Sequence, residues 1–435
     1  MAASRPSRAN PRIVALDLLT AVLTEKRLLD SALDDDRPFA SLADRDRAFA
    51  RLLVATTLRR LGQLDDLIAR CLTKNLPAKA IRARNVLRLG ACQLFFLGTP
   101  PHAAVATAVD LVKGTPLAGF AKLINAVLHR LDREGRTWQA EQDAARLNTP
   151  DWLWSSWVGA YGEATARAIA EAHLSEAPVD ITVASEPAGW AAKLEAEVMP
   201  TRTLRRTAGG DISRLPGFAD GAWWVQDMAA ALPARLLGDV SGKRVADLCA
   251  APGGKALQLA VAGASVTAVD RSARRLGRFR QNLERLKLHA EIVEADAAAW
   301  RPAEPFDAVL LDAPCSATGT LRRHPDGLRL KKPGDVAALA DQQAALLRAA
   351  VAMTKPGGTL VYCVCSLEPE EGVRQVERLL DAGLPVRRLP IVAAEVGGLA
   401  ELLTPEGDLR TLPCHLADRG GMDAFFATRF QRLSD

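Results

Sequence analysis

Apolar residues recur at helical spacing through the first 147 positions of the chain. Residues three or four apart lie on one face of a helix, as in two series of this segment: Ile13, Leu16, Leu19, Leu23 and Leu58, Leu61, Leu64, Ile68. Proline and glycine interrupt the pattern at positions 76–77, 98–101 and 114–116. No stretch alternates apolar and polar residues as a half-buried strand does. The pattern predicts an all-α helical bundle over residues 1–147.

Residues 148–236 have a different pattern. A helical stretch that is rich in tryptophan covers about 150–176, and four prolines then separate short apolar runs such as residues 179–183. Proline ends helices and is poorly tolerated inside sheets. We therefore predict linker helices followed by a small mixed α/β region.

Beyond position 237, short apolar runs alternate with helical segments. Predicted strands cover residues 245–248, 266–269, 292–293, 308–311 and 359–363, a helix covers 335–353, and residues 424–432 close the sheet. Such alternation is typical of a mainly parallel sheet with helices on both faces. The predicted fold class is therefore multidomain, an all-α bundle joined to a Rossmann-like α/β domain over residues 237–435.

The candidate functional residues follow these strands, and ligands of parallel sheets bind beyond the carboxyl ends of the strands. Residues 247–255, DLCAAPGGK, contain small residues that let a ligand approach the backbone at the start of a helix. The stretch matches neither G-x-G-x-x-G nor G-x-x-x-x-G-K-[ST], which disfavours NAD and ATP. Asp270 and Asp296 end the next two strands, where carboxylates accept hydrogen bonds from a ribose and an adenine amino group. Helix capping is the alternative role of both aspartates.

Two cysteines follow neighbouring strands, Cys315 after Asp312-Ala313-Pro314 and Cys365 after Cys363-Val364. A cysteine at a strand end is most often an inert core side chain. Beside a cofactor-type turn, the pair indicates methylation of a pyrimidine. A thiolate that adds to C6 makes C5 nucleophilic toward a methyl sulfonium, and elimination then releases the enzyme. The addition to C6 also needs an acid near N3 of the base. Asp312 suits this role if it is protonated or shares a proton.

Composition narrows the class of protein. The 435 residues are 49% hydrophobic and 25% charged, which is ordinary for a water-soluble globular protein. No apolar run approaches the roughly 20 residues that cross a membrane. The basic N-terminus, from Met1, has no secretion signal, so the protein is expected in the cytoplasm. Seven cysteines without a Cys-x-x-Cys pair predict neither a disulfide framework nor a structural zinc site.

Positive charge is concentrated in the first third of the chain. Residues 1–150 carry a net charge of +8 and the remainder −3. A basic segment attached to a nearly neutral body favours contact with a polyanion. A solvated arginine-rich face is the alternative.

Three stretches carry a resemblance to a known family: DLCAAPGGK (247–255), DAPCSATGTLRRHPD (312–326) and CVCSLEPEEG (363–372). They resemble the NOL1/NOP2/Sun family of RNA cytosine-5 methyltransferases, especially its bacterial ribosomal-RNA branch. Segments 46–65, 87–97 and 125–131 resemble the NusB-like RNA-binding domain of these enzymes, and Trp224-Val225-Gln226-Asp227 resembles the segment before their catalytic domain. The resemblance covers essentially the whole chain.

The resemblance implies a role for each matching position. The nucleophile is the cysteine followed by serine, here Cys365, while the proline-linked Cys315 assists product release and Asp312 lies between cofactor and base. In DNA cytosine-5 methyltransferases the Pro-Cys residue attacks instead, so spacing alone does not decide between the two cysteines. S-adenosylmethionine would be bound by the turn Cys249, Ala250, Ala251, Pro252, Gly253, Gly254 and Lys255, and by Asp270, Arg275, Asp296 and Asp312.

The implied partner is RNA, most specifically 16S ribosomal RNA, bound by a monomer without a metal or a membrane. Arg322, Arg323 and His324 are expected on a loop at the mouth of the cleft, where we predict contacts with RNA phosphates. Surface solvation is their alternative role.

The chain departs from the family pattern at two places. Cys363-Val364-Cys365-Ser366 stands where Ser-Thr-Cys-Ser is usual, and Gly372 stands where asparagine is common. The loss of the threonine hydroxyl removes one potential hydrogen bond near the nucleophile. Cys363 is expected to be a core residue on the face of the strand opposite Cys365.

Several functions remain open at this point. The same chemistry on transfer RNA or DNA is one alternative, although the basic bundle favours structured RNA. A catalytically idle RNA-binding assembly factor is another, and the paired cysteines and three aspartates disfavour it. A small-molecule methyltransferase would leave the bundle unexplained.

Overall fold

The computed structural model describes residues 10–74, 76–207 and 210–434. The start of the chain, on which the absence of a secretion signal was judged, lies largely outside them. Two compact units are present, one formed by Met1–Ser175 and Leu321–Lys331, the other by Glu176–Thr320 and Lys332–Asp435. The domain boundaries predicted at positions 147 and 236 stay predictions.

The N-terminal part of the first unit is helical throughout its described residues, which confirms the all-α prediction. Its helices are α1 (Pro11–Leu23), α2 (Leu29–Asp35), α3 (Arg37–Ser41), α4 (Asp44–Arg59), α5 (Leu61–Cys71), α6 (Ile81–Phe95), α7 (Pro101–Asp110), α8 (Ala121–Ala140), α9 (Ala144–Asn148), α10 (Asp151–Tyr161) and α11 (Glu163–Ala172). The predicted series on α1 and α4–α5 supply core residues such as Leu16, Leu19, Leu58 and Leu64. Helix α6 is buried on nearly every side, so it forms the centre of the bundle.

His173 follows α11 and is buried in this unit, 3% exposed. Its ring lies 5.2 Å from that of Trp157, centroid to centroid, and within the described residues neither ring nitrogen has a hydrogen-bond partner. Burial lowers the pKa of His173 to about 3, with a further decrease from the positive charges of Arg322 and Arg59. The side chain is therefore neutral in the folded protein at neutral pH.

We expect His173→Phe to make the protein less sensitive to acid. The pKa of about 3 lies below that of an unfolded histidine, so protonation favours the unfolded chain as the pH falls below about 6.5. The cost is about 3 kcal/mol between roughly pH 7 and pH 4. Urea unfolding followed by far-ultraviolet circular dichroism measures it, with His102→Phe on the exposed start of α7 as control. An unchanged loss of stability on acidification in His173→Phe would contradict the prediction.

The second unit begins with a small antiparallel sheet, as predicted for the mixed region. Its strands are β1 (Val179–Val183), β2 (Glu197–Val198), β3 (Leu204–Arg206) and β4 (Trp223–Val225), in the order β2-β3-β1-β4, with the short helix α12 (Ala188–Ala191) between β1 and β2. Arg205 Nε and Nη2 donate to the two oxygens of Asp180 at 2.8 and 2.7 Å. This fully buried bidentate pair ties β1 to β3 inside the small sheet.

A second, eight-stranded sheet forms the larger part of this unit. Its strands are β5 (Arg244–Leu248), β6 (Ser265–Asp270), β7 (Glu291–Glu294), β8 (Phe306–Asp312), β9 (Thr354–Val364), β10 (Val386–Arg388), β11 (Leu409–Thr411) and β12 (Phe425–Arg432). The order is β10-β12-β9-β8-β5-β6-β7, with β11 also paired to β12. The strands from β5 to β9 are parallel, and β12 joins antiparallel to β9. The predicted mainly parallel sheet and its closing strand are confirmed.

One strand is longer than the pattern predicts. The predicted strand covers residues 359–363, but β9 starts at Thr354 and includes residues 355–358. Thr354 pairs with Phe306, and the register then shifts before Ala308 pairs with Thr359. Residues 355–358 therefore belong to the strand at an irregularity of its pairing with β8.

Helices cover both faces of the large sheet, and two apolar clusters lie between them and the strands. The helices of this unit are α13 (Leu232–Arg235), α14 (Gly254–Val261), α15 (Ala273–Leu286), α17 (Pro333–Met353) and α18 (Val373–Asp381). Between β8 and α17 the chain leaves the unit, and α16 (Gly327–Leu330) belongs to the helical unit instead. There Asp326 Oδ2 accepts a hydrogen bond from the Leu29 amide at 3.0 Å.

Candidate active site

The two cysteines singled out by the sequence meet at the carboxyl ends of β8 and β9. Asp312 and Cys363 face each other in the register of these parallel strands, so the segments that follow leave the sheet side by side. Cys315 Sγ and Cys365 Sγ lie 3.4 Å apart. Cys365 is only partly buried. The sequence separation of 50 residues is thus closed by sheet pairing.

The thiol of Cys315 is held in its neutral form. Its hydrogen bond with Cys365 and its burial raise the pKa of Cys315 well above the usual range, and the nearby Glu371 charge raises it further. A neutral thiol is a poor nucleophile. The electrostatics of the pair therefore disfavour attack by Cys315.

Cys363 is fully buried, as expected, but the predicted face was wrong. It belongs to the same apolar cluster against which Cys365 packs, whereas Tyr362 and Val364 belong to the cluster on the other face. Side chains two positions apart on a strand share a face. Cys363 Sγ lies 3.6 Å from Asp312 Oδ1, so Cys363 packs beside the aspartate of the site.

Lys255 and Asp312 form an ion pair beside these thiols. Lys255 Nζ, at the start of α14, donates to Asp312 Oδ2 at 2.7 Å. The lysine side chain is 9% exposed, and that of Asp312 is 31% exposed. Burial lowers the pKa of Lys255, but Asp312 and other acidic groups outweigh burial and raise the pKa above its usual value. The pair therefore places a permanent ammonium charge against a carboxylate that is open to the cleft.

Asp247, on β5, lies beneath this pair and is completely buried. Burial raises the pKa of Asp247 to about 8, and the charge of Asp312 raises it further while Lys255 opposes the increase. At neutral pH the Asp247 carboxyl is thus mainly protonated. Lys255 consequently directs its charge to Asp312 rather than sharing it equally between two carboxylates.

A cavity at the ends of β5, β6 and β7 brings four of the predicted cofactor residues together, whereas residues 250–255 and Asp312 are not among its lining residues. Cys249, Asp270, Arg275, Asp296 and Pro314 are among its lining residues, and the empty space is about 390 Å³. The successive strand ends therefore meet at one site, as the sequence predicts.

The aspartates of this cavity also stabilise its walls. Asp270 accepts hydrogen bonds from the amides of Ser272 and Ala251 at 2.9 and 3.1 Å, and Asp296 accepts one from the Ala298 amide at 2.9 Å. Each carboxylate oxygen has two lone pairs, so these bonds leave capacity for a ligand. Capping and ligand binding are thus compatible in both residues.

The turn after β5 has an unusual backbone. Cys249 has a φ of +64°, and Gly253 has a φ of +107°. A Cβ on Gly253 would lie 2.0 Å from Cδ2 of Phe279, so glycine is needed at that position for the turn to pack on α15. Arg275 donates to the Ala251 carbonyl and lies 3.5 Å from Asp270 Oδ2. Arg275 thus connects the turn to the end of β6.

The predicted RNA contacts belong to the helical unit. Arg322, Arg323 and His324 lie in the segment Leu321–Lys331, which is part of that unit. Arg322 is buried, 2% exposed, and its carbonyl accepts a hydrogen bond from Arg59 Nη2 at 2.7 Å. The His324 side chain is 51% exposed, with Nδ1 3.3 Å from Asp30 Oδ2. Of the three, Arg323 and His324 have accessible side chains.

The sequence reasoning missed Glu371 and the residues around it. Glu371 is completely buried, and its carboxylate accepts hydrogen bonds from residues next to both cysteines. Its position in the run Pro369-Glu370-Glu371 gives no sign of this, because acidic runs are usually solvated. Only the alternation of burial around the turn distinguishes Glu371 from Glu370.

Gly372 leaves space for an arginine. A Cβ at this position would lie 2.7 Å from Arg410 Nη2. Arg410 Nη1 donates to the Ser366 carbonyl at 2.7 Å, and its guanidinium lies over the Phe426 ring. In this chain an arginine on β11 therefore supports the backbone after Cys365 where the family pattern has a larger residue at 372.

Within the described ranges no group of histidine, cysteine or acidic residues has the arrangement of a metal site. No helix in the described part of the chain is long and apolar enough to span a bilayer.

Comparison with known proteins places this geometry in context. Residues 234–431 match the family described as 16S rRNA methyltransferase RsmB/F, and residues 9–133 match the NusB family. Ribosomal RNA small subunit methyltransferase B of Pseudomonas putida is 37% identical over 98% of this chain and 99% of its own length. The protein of the same name in Vibrio cholerae is 38% identical over 74% of this chain and 79% of its own. The crystal structure of PH0851, at 20% identity, shares the fold, with a TM-score of 0.75 over 99% of this chain and 100% of that one.

Proposed function

Since the chain belongs to the RsmB/F family of 16S rRNA methyltransferases, we propose that it transfers a methyl group from S-adenosylmethionine to C5 of a cytosine in 16S ribosomal RNA. The observation that carries the proposal is the 3.4 Å approach of Cys315 Sγ and Cys365 Sγ at neighbouring strand ends. A single cysteine would support attack on the base, whereas two supply separate groups for attack and release.

Cys365 is the proposed nucleophile. Its thiolate adds to C6, and the electron pair of the C5–C6 double bond moves toward C5. C5 would then take the methyl group as the methyl–sulfonium bond breaks and a neutral thioether leaves. The C5 proton then passes to solvent, N3 gives up the proton that it received, and the C6–S bond breaks with its electrons on sulfur. These steps restore the aromatic ring and the free thiolate. Cys315, which is held neutral at 3.4 Å, is placed to assist this release rather than to attack.

The pair of Lys255 and Asp312 is proposed to supply a proton to N3 of the base. Addition to C6 needs a compensating proton at N3. The Lys255 ammonium donates to Asp312 Oδ2, and Asp312 Oδ1 lies 3.6 Å from Cys363 Sγ. The sequence suggested that a protonated Asp312 supplies this proton. We assign the proton instead to the Lys255 ammonium, which reaches N3 through the partly exposed Asp312 carboxylate.

S-adenosylmethionine supplies the methyl group as a sulfonium when it is bound. The cavity suits this cofactor because two carboxylates, Asp270 and Asp296, line it at successive strand ends. Residues 249–255 would surround the methionine end, Asp270 the ribose and Asp296 the adenine, with Arg275 holding the turn and Asp312 toward the base.

We propose that RNA phosphates are contacted by Arg323 and His324, which are accessible. Arg322 is buried and is proposed to support this segment from within the helical unit. The protein is proposed to act as a monomer in the cytoplasm.

The proposed substrate is tested by mass spectrometry of nucleosides. Purified protein, S-adenosylmethionine and unmodified 16S rRNA, 23S rRNA or transfer RNA are incubated separately. We expect 5-methylcytosine in 16S rRNA alone, full activity in Cys71→Ala, which changes a half-buried cysteine of the helical unit, and none in Cys365→Ala. Methylation of transfer RNA in preference to 16S rRNA would refute the substrate, and a fully active Cys365→Ala protein would refute the nucleophile.

A further inference from the structure

One buried carboxylate is bonded to the residues that follow both cysteines. Glu371 Oε1 accepts a hydrogen bond from the Ser316 amide at 2.8 Å, and Oε2 accepts one from Ser366 Oγ at 2.6 Å. Ser316 Oγ also donates to Oε2. Ser316 comes directly after Cys315, and Ser366 directly after Cys365. The carboxylate therefore bridges the two cysteine segments.

Further contacts fix the position of Glu371 itself. Gln343 Nε2, from α17, donates to Glu371 Oε1 at 3.2 Å and to the Pro314 carbonyl at 2.9 Å. Tyr362 Oη, from β9, donates to the Glu371 carbonyl at 2.5 Å. A carboxylate that is removed from water is costly unless donors surround it. Four donors to the Glu371 carboxylate meet this requirement, and they come from both cysteine segments and a helix.

We propose that Glu371 is a positioning residue, which sets the separation of the Cys315 and Cys365 thiols and thereby the rate of adduct formation and release. This inference rests on the proposed function, because it concerns the two cysteine roles in that reaction. Glu371 is completely buried, so its carboxylate acts through Ser316 and Ser366 and does not itself contact a base. Reacting groups that move by about 1 Å can lose about 100-fold in rate.

The test uses Glu371→Gln, which keeps the shape of the side chain. A glutamine has one oxygen and one NH2 group. In place of Oε2 the NH2 group would reverse the direction of both serine hydrogen bonds, and in place of Oε1 it would face the Ser316 amide donor. We expect kcat for methylation of 16S rRNA to fall by about 10–100-fold. The KM for S-adenosylmethionine should change by less than about twofold, because Glu371 does not line the cofactor cavity.

A second measurement separates positioning from a general loss of structure. Misplacement of Cys315 slows release, so a covalent adduct that already carries the methyl group should accumulate in Glu371→Gln and remain below detection in the wild type. Glu370→Gln is the matched control, because Glu370 is the neighbouring residue and its partly exposed side chain pairs with Arg374. Glu370→Gln should behave as the wild type.

A third variant keeps the proposal testable if Glu371→Gln does not fold. Ser316→Ala combined with Ser366→Ala removes both hydroxyl donors and leaves the carboxylate with the Ser316 amide and Gln343. It should show the same fall in kcat and the same methylated adduct. A normal kcat without an adduct, in folded Glu371→Gln or in the folded double serine variant, would overturn the positioning role. Methylation by the wild type in the same assay would still support the proposed function. If the wild type and Glu370→Gln also failed to methylate 16S rRNA, the proposed function itself would be refuted, and the positioning role with it.

Discussion

The Cys315→Ala protein, incubated with S-adenosylmethionine and 16S rRNA, is expected to accumulate a covalent protein–RNA complex that the wild type does not accumulate. Cys315 Sγ lies 3.4 Å from Cys365 Sγ and has a pKa well above the usual range. Its removal spares the attacking thiol but removes the group that is placed to assist release. The adduct is measured as a band of reduced mobility that survives denaturation and disappears after ribonuclease treatment.

The same experiment with Cys365→Ala should give neither adduct nor methylation, with a fall in turnover of about 10⁴-fold or more, as expected when a covalent nucleophile is lost. The double variant should behave like Cys365→Ala, since no adduct forms for Cys315 to resolve. Cys71→Ala is the matched control and should behave as the wild type, because Cys71 is a half-buried cysteine of the helical unit. A stable adduct in Cys365→Ala would reverse the assignment of the two cysteines.

Lys255→Met is expected to lower kcat for methylation by about 100–1,000-fold, the scale of general acid–base catalysis. Lys255 Nζ is the partner of Asp312 Oδ2 at 2.7 Å, and its charge also opposes the rise in the pKa of Asp247. Methionine keeps the apolar packing of the stem while it removes the charge and the donor. Asp312 would then lack the ammonium that we assign to proton transfer at N3. Steady-state kinetics with 16S rRNA measure the effect.

Two comparisons make the lysine experiment specific. Lys243→Met is the control, since Lys243 is exposed just before β5 and should retain full turnover. The Lys255→Met protein should also accumulate little adduct, because the proton is needed when Cys365 adds to C6. A variant with normal kcat, or with abundant adduct and slow release only, would contradict a role for Lys255 in the addition step.

Most of the fold follows from local patterns. Helical spacing predicted the bundle, and β5 to β9 were expected from short apolar runs separated by helices. These patterns suffice because a helix or a buried strand depends mainly on periodic burial of its own side chains. Residues 355–358 are the exception, since they extend β9 at an irregularity of its pairing with β8.

The candidate site was predictable as a set of strand ends but not as a geometry. Asp270, Asp296 and Cys249 were placed at one cavity by the general rule for parallel sheets, and the structure brings them together. The face predicted for Cys363 was wrong. Cys363 lies on the same face as Cys365, because side chains two positions apart along a strand point the same way. The exposure of Arg322 was also misjudged, because the segment after Thr320 belongs to the helical unit.

The sequence by itself determined the order of helices and strands, the cofactor-type turn and the two cysteines, because each is specified by neighbouring residues. Only the tertiary structure decided the 3.4 Å thiol separation, the pairing of Lys255 with Asp312 and the bridging position of Glu371. The two cysteines are 50 positions apart in the sequence, Lys255 and Asp312 are 57 apart, and Glu371 and Ser316 are 55 apart. Their distances depend on strand register and on burial by several elements at once, which no local pattern encodes.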